Sequence, residues 1–313
     1  MIDRVNPALP LNADIRSVLK DGIARLRAAH VPSYTLAAEL LLLHGLGRDR
    51  AWLYTHAEEP LDPPIAEKYL ALVARRAAGE PTQYITGKQE FWGLEFGVTP
   101  AVLIPRPETE HLVEVALERL GARGIKINMR TGEPSATLRI ADIGTGSGCI
   151  AVALAHELPH AEIVATDISG AALEVASRNA ALHGVSSRIW FIQADLLQGI
   201  SPPALDPLPS PLHMIVSNPP YVARDEAASL PREVREYEPD TALFGGPTGI
   251  EIYARLIEEA HALLAPGGIL VVELGYGAAD AVRKMFHVQH GWANVSLTHD
   301  LAGIPRVLAA ERY

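Results

Sequence analysis

The chain after Leu138 alternates short apolar runs with stretches of helical periodicity, and no other feature of the sequence constrains the fold as strongly. Such alternation is typical of a parallel sheet covered by helices on both faces. We predict strands at Leu138–Asp142, Glu162–Thr166, Arg188–Gln193, His213–Ser217 and Ile269–Glu273. We predict helices at Cys149–Glu157, Ala171–His183, Ile250–Leu264 and Ala278–Phe286. The final strands, Ala293–Thr298 and Arg306–Glu311, have no helix between them, so we expect an antiparallel pair at an edge of the sheet.

The residues before this region divide into a helical unit and a short hairpin. From Ile15 to about Ala78, apolar side chains recur at the spacing of a helix surface, which predicts a small all-helical unit. The segment Gln89–Val98 has the pattern of a hairpin. A stiff segment with two prolines, Ile104–Glu110, then leads into a helix. We therefore expect three parts, which cover residues 1–87, 88–110 and 111–313.

Composition and charge narrow the class of protein. The 313 residues include 37 acidic and 27 basic side chains, a formal net charge of −10, without the clustered lysine and arginine that nucleic acid attracts. We therefore expect no direct nucleic-acid binding. The single cysteine, Cys149, excludes an intramolecular disulfide and a cysteine-based zinc cluster. The amino terminus lacks the pattern of a signal peptide, and the longest aliphatic run, Leu40–Leu43, is too short to cross a bilayer. We expect a cytoplasmic protein with no membrane contact.

A glycine-rich loop follows the first predicted strand of the sheet. The segment Leu138–Cys149 reads LRIADIGTGSGC, with glycine at every second position from Gly144 to Gly148. Glycine after a strand lets the backbone turn tightly and approach a ligand, and the next helix points free N–H groups at the same place. The spacing departs from the dinucleotide fingerprint, whose third glycine would stand where Cys149 stands. The loop therefore predicts a nucleoside-type ligand and disfavours hydride transfer.

Acidic residues stand at the ends of the first three predicted strands. Asp142 precedes the glycine loop, Asp167 ends the second strand, and Asp195 follows the third. The carboxyl ends of parallel strands form the edge where open α/β sheets bind ligands. There Asp142 and Asp167 suit a positively charged amino group and a ribose diol, and Asp195 can accept a hydrogen bond from an adenine amino group. S-adenosylmethionine carries all of these groups. Each aspartate taken alone would equally suit a helix cap.

A second motif follows the fourth predicted strand, where the chain reads Asn218-Pro219-Pro220-Tyr221. The prolines set the direction of the chain and lack backbone N–H donors, so the polar groups that the segment offers to a ligand are mostly hydrogen-bond acceptors. The Asn218 side-chain carbonyl and the Pro219 backbone carbonyl can hold both hydrogens of a planar NH₂ group, and Tyr221 can cover a flat substrate. Such a clamp suits methyl transfer to an amide or amine nitrogen, because it tightens as positive charge develops there. A proline-rich turn capped by Asn218 is the alternative interpretation.

The glycine loop and the NPPY motif, in this order, make the chain resemble the amino-group methyltransferases that use S-adenosylmethionine. Within that class, the helical amino-terminal unit and the segments FWGLEFGV, LIPRPETE, VSNPPY, YEPDTALFGGPTG and PGGILVVELG resemble the N5-glutamine methyltransferases of peptide-chain release factors. The resemblance extends from about Ile15 to Tyr313. It implies an α/β fold, a Rossmann-like seven-stranded class I methyltransferase sheet with an amino-terminal all-helical domain. It also implies methyl transfer from S-adenosylmethionine, which leaves S-adenosylhomocysteine, to the glutamine of the Gly-Gly-Gln motif in class I release factors.

The resemblance also implies a role for each part of the chain. Residues 1–87 would form a helical substrate-recognition domain, and residues 111–313 would form the methyltransferase domain. Residues 88–110, with the hairpin, would link these two domains. The cofactor would contact Asp142, Gly144, Thr145, Gly146, Ser147, Gly148, Asp167, Asp195, Leu196 and Asn218. The catalytic residues would be Asn218, Pro219 and Tyr221. The substrate would contact Asn218, Pro219, Pro220, Tyr221, Arg106 and Glu108.

Some residues depart from the family pattern or keep two interpretations. Leu196 stands where the family often has an aromatic residue, and the segments 121–136 and 201–211 are longer than the usual connections. We expect residues 201–211, which contain five prolines, to form a surface loop. Arg106 and Glu108 either orient the surroundings of the glutamine or pair with each other across a rigid turn.

Other functions remain open from the sequence. A sister enzyme that methylates a glutamine of a large-subunit ribosomal protein is similar, although its resemblance through PRPETE is weaker. An adenine-N6 methyltransferase of DNA or RNA would use the same clamp, but it would need a basic channel and stacking aromatic residues, which the charge balance opposes. A ligand-regulated binding protein without activity would carry the same motifs.

A metal-dependent hydrolase is disfavoured. The segment His156-Glu157-Leu158-Pro159-His160 matches the HExxH pattern of zinc proteases. That chemistry needs both histidines one turn apart on an unbroken helix, and Pro159 cannot lie inside one. We expect no metal site.

Overall fold

A computed structural model of the chain describes residues 13–122, 138–198, 212–288 and 291–313. The predicted surface loop at 201–211 lies outside the described residues, as does most of the long segment 121–136. Across the described part of the chain, each helix is too short or too polar to pass through a bilayer.

The elements follow the predicted order of a helical region, a hairpin, and alternating strands and helices. The helical region contains α1 (Ile15–Ala28), α2 (Tyr34–Leu46), α3 (Arg50–Thr55), α4 (Pro63–Ala77) and α5 (Thr82–Thr86). The hairpin and the next helix are β1 (Lys88–Phe91), β2 (Leu94–Gly97) and α6 (Glu110–Ala122). Then follow β3 (Leu138–Ile143), α7 (Cys149–Glu157), β4 (Ala161–Asp167), α8 (Gly170–Leu182), β5 (Ile189–Gln193), β6 (Leu212–Ser217) and β7 (Val222–Ala223). The last elements are α9 (Arg232–Tyr237), α10 (Asp240–Leu243), β8 (Phe244–Gly246), α11 (Glu251–Leu263), β9 (Leu264–Glu273), α12 (Ala279–Val288), β10 (Trp292–His299) and β11 (Pro305–Arg312).

The chain forms two compact units, of which the first is helical and comprises the residues up to Gly87 together with Pro231–Tyr237. Its core is an apolar cluster in which Leu26, Leu41 and Tyr69 are fully buried. The Asp14 side chain caps α1, where it accepts a hydrogen bond from the Ser17 amide at 2.7 Å. The predicted helical amino-terminal region is confirmed.

The helix α9 packs with this unit although the sequence partition placed it in residues 111–313. The Arg76 side chain of α4 is buried and pairs with Glu233 of α9. The Tyr237 hydroxyl, at the end of α9, donates to the Ala78 carbonyl at 3.4 Å. These contacts join residues far apart in sequence, so the local pattern that guided the partition could not predict them.

The second unit, Lys88–Leu230 with Glu238–Tyr313, is built on a seven-stranded sheet. The strand order is β10-β11-β9-β6-β3-β4-β5, in which β5, β4, β3, β6 and β9 are parallel. The strand β11 runs antiparallel to both β9 and β10. The predicted α/β fold, with a parallel sheet and an antiparallel edge pair, is confirmed.

One strand begins earlier than predicted. The sequence prediction started the fifth strand at Ile269, directly after Pro266-Gly267-Gly268, whose residue types are typical of a turn. In the structure β9 begins at Leu264, which lies opposite Leu212 of β6, and the register shifts before Ile269 pairs with Met214. The turn-like residues therefore lie within β9, at an irregularity in its pairing with β6.

The sheet is buried on both faces, which explains its nearly continuous apolar strands. In β3, Ile140 belongs to the cluster packed with α6 and α7, whereas Ala141 and Ile143 belong to the cluster packed with α11 and α12. Successive strand residues point to opposite faces, so both kinds must be apolar. The helix α7 is buried from Cys149 to Ala155.

A single buried side chain ties the hairpin to the glycine loop. Asn179 of α8 accepts a hydrogen bond from the Gly97 amide at 2.8 Å and donates to the Gly97 carbonyl at 2.9 Å. Its Nδ2 also donates to the Ser147 carbonyl at 2.8 Å. The Asn179 side chain therefore satisfies backbone groups of two separate loops, and the sequence analysis did not single it out.

Replacing Asn179 with leucine, which has a similar volume, tests this tie. The variant leaves the Gly97 amide and the carbonyls of Gly97 and Ser147 without these partners, and an unpaired buried polar group costs about 1–3 kcal/mol. We expect the free energy of unfolding in urea to fall by at least about 2 kcal/mol. The control is Ser177→Ala on the exposed side of the same helix, which we expect to change stability by less than about 0.5 kcal/mol. Equal stability of the two variants would contradict the interpretation.

Candidate active site

The carboxyl ends of β3, β4, β5 and β6 border a cavity of about 340 Å³. After β3 the sheet is extended through β4 and β5 on one side, and the chain then crosses to β6 on the other side. Open α/β sheets bind ligands where the strand order reverses in this way. Ile143 of β3 lies opposite Ser217 of β6, and the Ser217 hydroxyl donates to the Ile143 carbonyl at 2.8 Å. The loops that follow these two strands therefore emerge side by side.

The glycines of the loop serve two different purposes. Gly144, Gly146 and Gly148 have φ angles of +70°, +55° and +80°, which residues other than glycine rarely adopt. Gly144 and Gly146 line the cavity, and a Cβ on either would meet no atom within 4 Å, so it would occupy open cavity space. A Cβ on Gly148 would instead lie 3.0 Å from the Cβ of Ala176 in α8. The first two glycines open a ligand space, and the third allows the loop to pack.

The polar residues in and before the loop support it. Asp142 is fully buried, and its Oδ2 accepts hydrogen bonds from the Thr145 hydroxyl at 2.6 Å and from the Ala151 amide at 3.1 Å. Burial raises the pKa of Asp142 to about 7. Ser147 is buried and uses its carbonyl to accept from Asn179. Asp142 therefore holds the loop on the start of α7, and the Ser147 backbone joins it to α8. None of Asp142, Thr145 and Ser147 lines the cavity.

The other two strand-end aspartates do line the cavity. Asp167 accepts hydrogen bonds from the Gly146 amide and the Ser169 amide, each at 2.9 Å, and burial raises its pKa. Asp195 is partly exposed and accepts from the Arg255 guanidinium at 2.8 Å. Leu196 also lines the cavity, with a φ of +55°, and its carbonyl accepts from the Thr166 hydroxyl at 3.0 Å.

The NPPY segment reaches the same cavity. Asn218 and Pro220 line it, whereas Pro219 and Tyr221 do not. Asn218 Nδ2 donates to the Thr109 hydroxyl at 3.0 Å. Tyr221 packs so closely on the chain after β9 that a Cβ on Gly275 would lie 2.7 Å from its ring. Burial raises the pKa of Tyr221 to about 12, so its hydroxyl stays protonated at neutral pH.

Arg106 and Glu108 do not pair with each other. Arg106 Nη2 donates to both carboxylate oxygens of Glu238 at 2.7 Å, and the Glu238 side chain is buried. Glu108 is exposed, and neither residue lines the cavity. The interpretation in which the two residues form a pair across the turn is wrong, because the partner of Arg106 comes from a distant part of the sequence.

The structure also bears on the HExxH match. The helix α7 ends at Glu157, ahead of Pro159, so His156 and His160 do not lie one turn apart on one helix. Within residues 13–122, 138–198, 212–288 and 291–313, no group of three or more His, Cys, Asp or Glu side chains is arranged to hold a metal ion.

Two family models match the chain, the PrmC N-terminal domain over residues 17–87 and the methyltransferase small domain over residues 124–233. A release factor glutamine methyltransferase of Koribacter versatilis is 42% identical over 298 residues, which cover 95% of this chain and 98% of that protein. One of Chlorobaculum tepidum is 43% identical over 292 residues, which cover 93% and 95%. The chain belongs to the release factor glutamine methyltransferase family.

A solved structure agrees on the fold of this family member. The hMettl16 catalytic domain, in complex with a MAT2A 3′UTR hairpin, matches with a TM-score of 0.55 and 20% identity. The match covers 77% of this chain and 82% of that chain. At this identity the likeness shows the fold alone, a class I methyltransferase sheet.

The cavity lining also includes residues from later elements that sequence reasoning missed. They come from the segment after β7 and from α10, β8 and α11: Arg224, Pro239, Asp240, Thr241, Ala242, Phe244, Ile252 and Arg255. The Arg224 guanidinium lies over the Phe244 ring, 5.3 Å from its centre. For the five residues from Pro239 to Phe244 the signal was the segment YEPDTALFGGPTG, which supported the resemblance to release factor glutamine methyltransferases without any role for its residues. Arg224, Ile252 and Arg255 lie outside that segment.

The buried carboxyl of Asp142 predicts a dependence of stability on pH. Its pKa of about 7 in the folded protein, against an ordinary value of 3.8, means that the folded state keeps a proton that the unfolded chain loses between these values. The free energy of unfolding therefore falls as pH rises through this range. Asp142→Asn keeps an oxygen that accepts from Thr145 and Ala151 and removes the charge. We expect its melting temperature, relative to the parent protein, to rise between about pH 5 and about pH 8. Parallel curves for the two proteins would contradict the assignment.

Proposed function

We propose that this chain transfers a methyl group from S-adenosylmethionine to N5 of the glutamine in the Gly-Gly-Gln motif of class I peptide-chain release factors. Membership of the release factor glutamine methyltransferase family supports the class of reaction, because the relatives match over almost the full length of both chains. The observation that carries the assignment of the site is that the glycine loop after β3 and Asn218 after β6 line one cavity. A donor held by one loop can therefore meet an acceptor held by the other.

The cavity walls fit the cofactor in shape and in hydrogen-bonding chemistry. When bound, S-adenosylmethionine supplies an activated methyl group on a sulfonium. Gly144 and Gly146 leave open the space that a side chain would fill, so the backbone can approach the ligand. Asp167 is oriented by two backbone amides and offers its remaining lone pairs to the ribose diol. Asp195, oriented by Arg255, would accept a hydrogen bond from the adenine amino group, and the next residue, Leu196, also lines the cavity.

The roles proposed for the other loop residues are indirect. Asp142 and Thr145 are hydrogen-bonded to each other away from the cavity lining, so they contribute to cofactor binding by holding the glycine loop in place. Ser147 and Gly148 act through the backbone, at the point where the loop packs on α8. In this proposal the carboxylate of Asp142 does not touch the amino group of the cofactor.

The NPPY segment acts as the clamp for the glutamine side chain. The Asn218 side-chain carbonyl and the Pro219 carbonyl accept the two hydrogens of the substrate NH₂ group, and Pro220 lines the cavity beside them. An amide nitrogen is a weak nucleophile, because its lone pair is delocalised into the carbonyl. The hydrogen bonds from the two N–H groups to these acceptors strengthen as positive charge develops on the nitrogen. The methylated nitrogen is then acidic enough to lose its proton late in the reaction. Tyr221, packed on Gly275, holds the direction of this segment.

The helical unit is proposed to recognise the release factor. Residues 17–87 match the PrmC N-terminal domain, and α2 and α3 expose the apolar side chains of Leu36, Leu40 and Tyr54. The net charge of −10 does not favour a nucleic-acid partner. In this proposal Arg106 and Glu108 act at the substrate only indirectly, because they lie outside the cavity lining.

Labelled cofactor tests the substrate. The purified protein is incubated with S-adenosylmethionine carrying a labelled methyl group and, separately, with a class I release factor, the same factor with its motif glutamine replaced, ribosomal proteins, and nucleic acid. We expect label on the intact factor alone. Label that persists on the factor without the glutamine would overturn the substrate assignment, and label on a ribosomal protein would favour the sister activity.

Asn218→Ala tests the clamp. Loss of a preorganised polar contact in the transition state lowers kcat by about 10²-fold or more, so we expect that fall in the single-turnover rate. Affinity for S-adenosylmethionine, measured by calorimetry, is expected to change far less, because the glycine loop and Asp167 remain. Asn294→Ala, at an exposed asparagine of β10, is the matched control and should keep the parent rate. A mild loss for Asn218→Ala would remove this residue from catalysis.

A further inference from the structure

The clamp segment, Asn218–Tyr221, has no regular secondary structure of its own. It lies between the end of β6 at Ser217 and the start of β7 at Val222. Two of its four residues are prolines, which have no backbone N–H group to donate. Neighbouring segments must therefore hold the backbone of the clamp in place.

Residues 244–249, which we call the β8 turn, comprise the strand β8 and the turn after it. The strand pairs in parallel with β7, where Phe244 lies opposite Val222. Glu251, at the start of α11, holds the other end of the turn. Its Oε1 accepts hydrogen bonds from the Thr248 amide at 3.0 Å and from the Thr248 hydroxyl at 2.8 Å. The β8 turn is thus held at both ends.

Two glycines of the β8 turn lie directly against the backbone of the clamp and of β7. A Cβ on Gly245 would overlap the Pro220 carbonyl oxygen, and it would lie 2.8 Å from the Gly249 carbonyl oxygen. A Cβ on Gly249, whose φ is +80°, would overlap the Tyr221 carbonyl oxygen and lie 3.1 Å from the Ala223 amide nitrogen. These neighbours are backbone atoms, which cannot rotate away as a long side chain can. Only glycine therefore allows the β8 turn to approach the clamp this closely.

The helix α11 also fixes the segment on which Tyr221 packs. The Tyr253 hydroxyl of α11 donates to the Glu273 carbonyl at 2.9 Å and accepts from the Gly275 amide at 3.1 Å. Gly275 is the residue whose missing side chain leaves room for the Tyr221 ring. The clamp is therefore confined by two segments, the β8 turn and the chain after β9, and both are hydrogen-bonded to α11.

We propose that Gly245 and Gly249 are positioning residues, which let the β8 turn fix the path of the clamp backbone and so aim its acceptors at the substrate amide. The proposal rests on the proposed function, in which the Asn218 side chain and the Pro219 carbonyl accept the two hydrogens of the glutamine NH₂ group. Neither glycine lines the cavity, so both act through the two residues that directly follow those acceptors. Both acceptors must meet the NH₂ group while its nitrogen faces the methyl carbon, and a misplacement of about 1 Å can cost about 100-fold in rate.

Gly245→Ala tests the proposal with one added methyl group. Gly245 lies outside the left-handed region, so alanine adds no backbone strain there, and its methyl group would displace the Pro220 carbonyl. We expect kcat on the release factor to fall by about 10-fold to 100-fold. Affinity for S-adenosylmethionine, measured by calorimetry, is expected to stay within about threefold of the parent value, because the glycine loop and Asp167 belong to other segments.

Gly121→Ala is the matched control. Gly121 also lies outside the left-handed region, and a Cβ there would meet no atom within 4 Å. This variant should keep the parent rate. A folded Gly245→Ala protein that keeps the parent rate as well would overturn the proposal.

The double variant Gly245→Ala/Asn218→Ala shows whether the glycine acts through the clamp. Asn218→Ala alone already removes one of the two acceptors, so a shift of the clamp has less left to disturb. We expect the combined loss of rate to fall short of the product of the two single losses by about fivefold or more. A general structural fault would multiply the two losses, and that result would contradict the positioning role.

Glu251→Ala decides the matter if Gly245→Ala fails to fold. It releases the β8 turn from α11 without adding an atom near the clamp, and we expect kcat to fall by about threefold or more while affinity for the cofactor is retained. Glu258→Ala, at an exposed glutamate of the same helix, is the control and should keep the parent rate. Equal rates for these two variants would then overturn the proposal.

Asn218→Ala measured alone separates the role of the glycines from the proposed function. If Asn218→Ala is inactive while Gly245→Ala behaves as the parent protein, the positioning role fails and the proposed function stands. If Asn218→Ala keeps its rate, the clamp fails and the role of the glycines fails with it. Circular dichroism, measured on every variant, shows whether a lost rate comes from an unfolded protein.

Discussion

The parallel pairing of β3 with β6 is the constraint on which the rest of the structure depends. The two strands are adjacent, with Ile143 opposite Ser217, and the Ser217 hydroxyl adds a hydrogen bond to the Ile143 carbonyl. The strands lie inside a sheet that is buried on both faces, where an unpaired backbone group would be costly. Their register is therefore strongly specified. The pairing places the glycine loop and Asn218, which are far apart along the chain, on the same rim.

Buried carboxyl groups orient the loops that emerge at this rim. Asp142 holds the glycine loop on α7, and Asp167 accepts a hydrogen bond from the Gly146 amide. Burial raises the pKa of both acids, because their charged forms lose hydration. Hydrogen bonds from the loops offset part of that loss. Burying these carboxylates costs stability, and the hydrogen bonds that they accept hold each loop in one defined conformation.

The elements of the sheet were predictable, whereas side-chain partners were not. The buried strands are apolar on both faces and the intervening helices have their own periodicity, so each element could be located from residues within it. The start of β9 was missed because a Pro-Gly-Gly sequence that is typical of a turn lies between Leu264, which is opposite Leu212, and Ile269, where the regular pairing resumes after a register shift. The partner of Arg106, which is Glu238, lies in a distant segment, whereas the local sequence offered a pair with Glu108 only as one of two interpretations.

By itself, the sequence determined the alternation of strands and helices, the glycine loop, the NPPY segment and the family, because each of these depends on residues close together in the chain. The tertiary structure alone decided which residues face the cavity: Gly146, Asp167 and Asn218 do, whereas Asp142 and Tyr221 support the loops. It also joined Asn218 to Thr109, which lies more than a hundred residues away in the chain. Contacts of this kind depend on strand order and register, which arise only when the whole sheet buries its apolar faces.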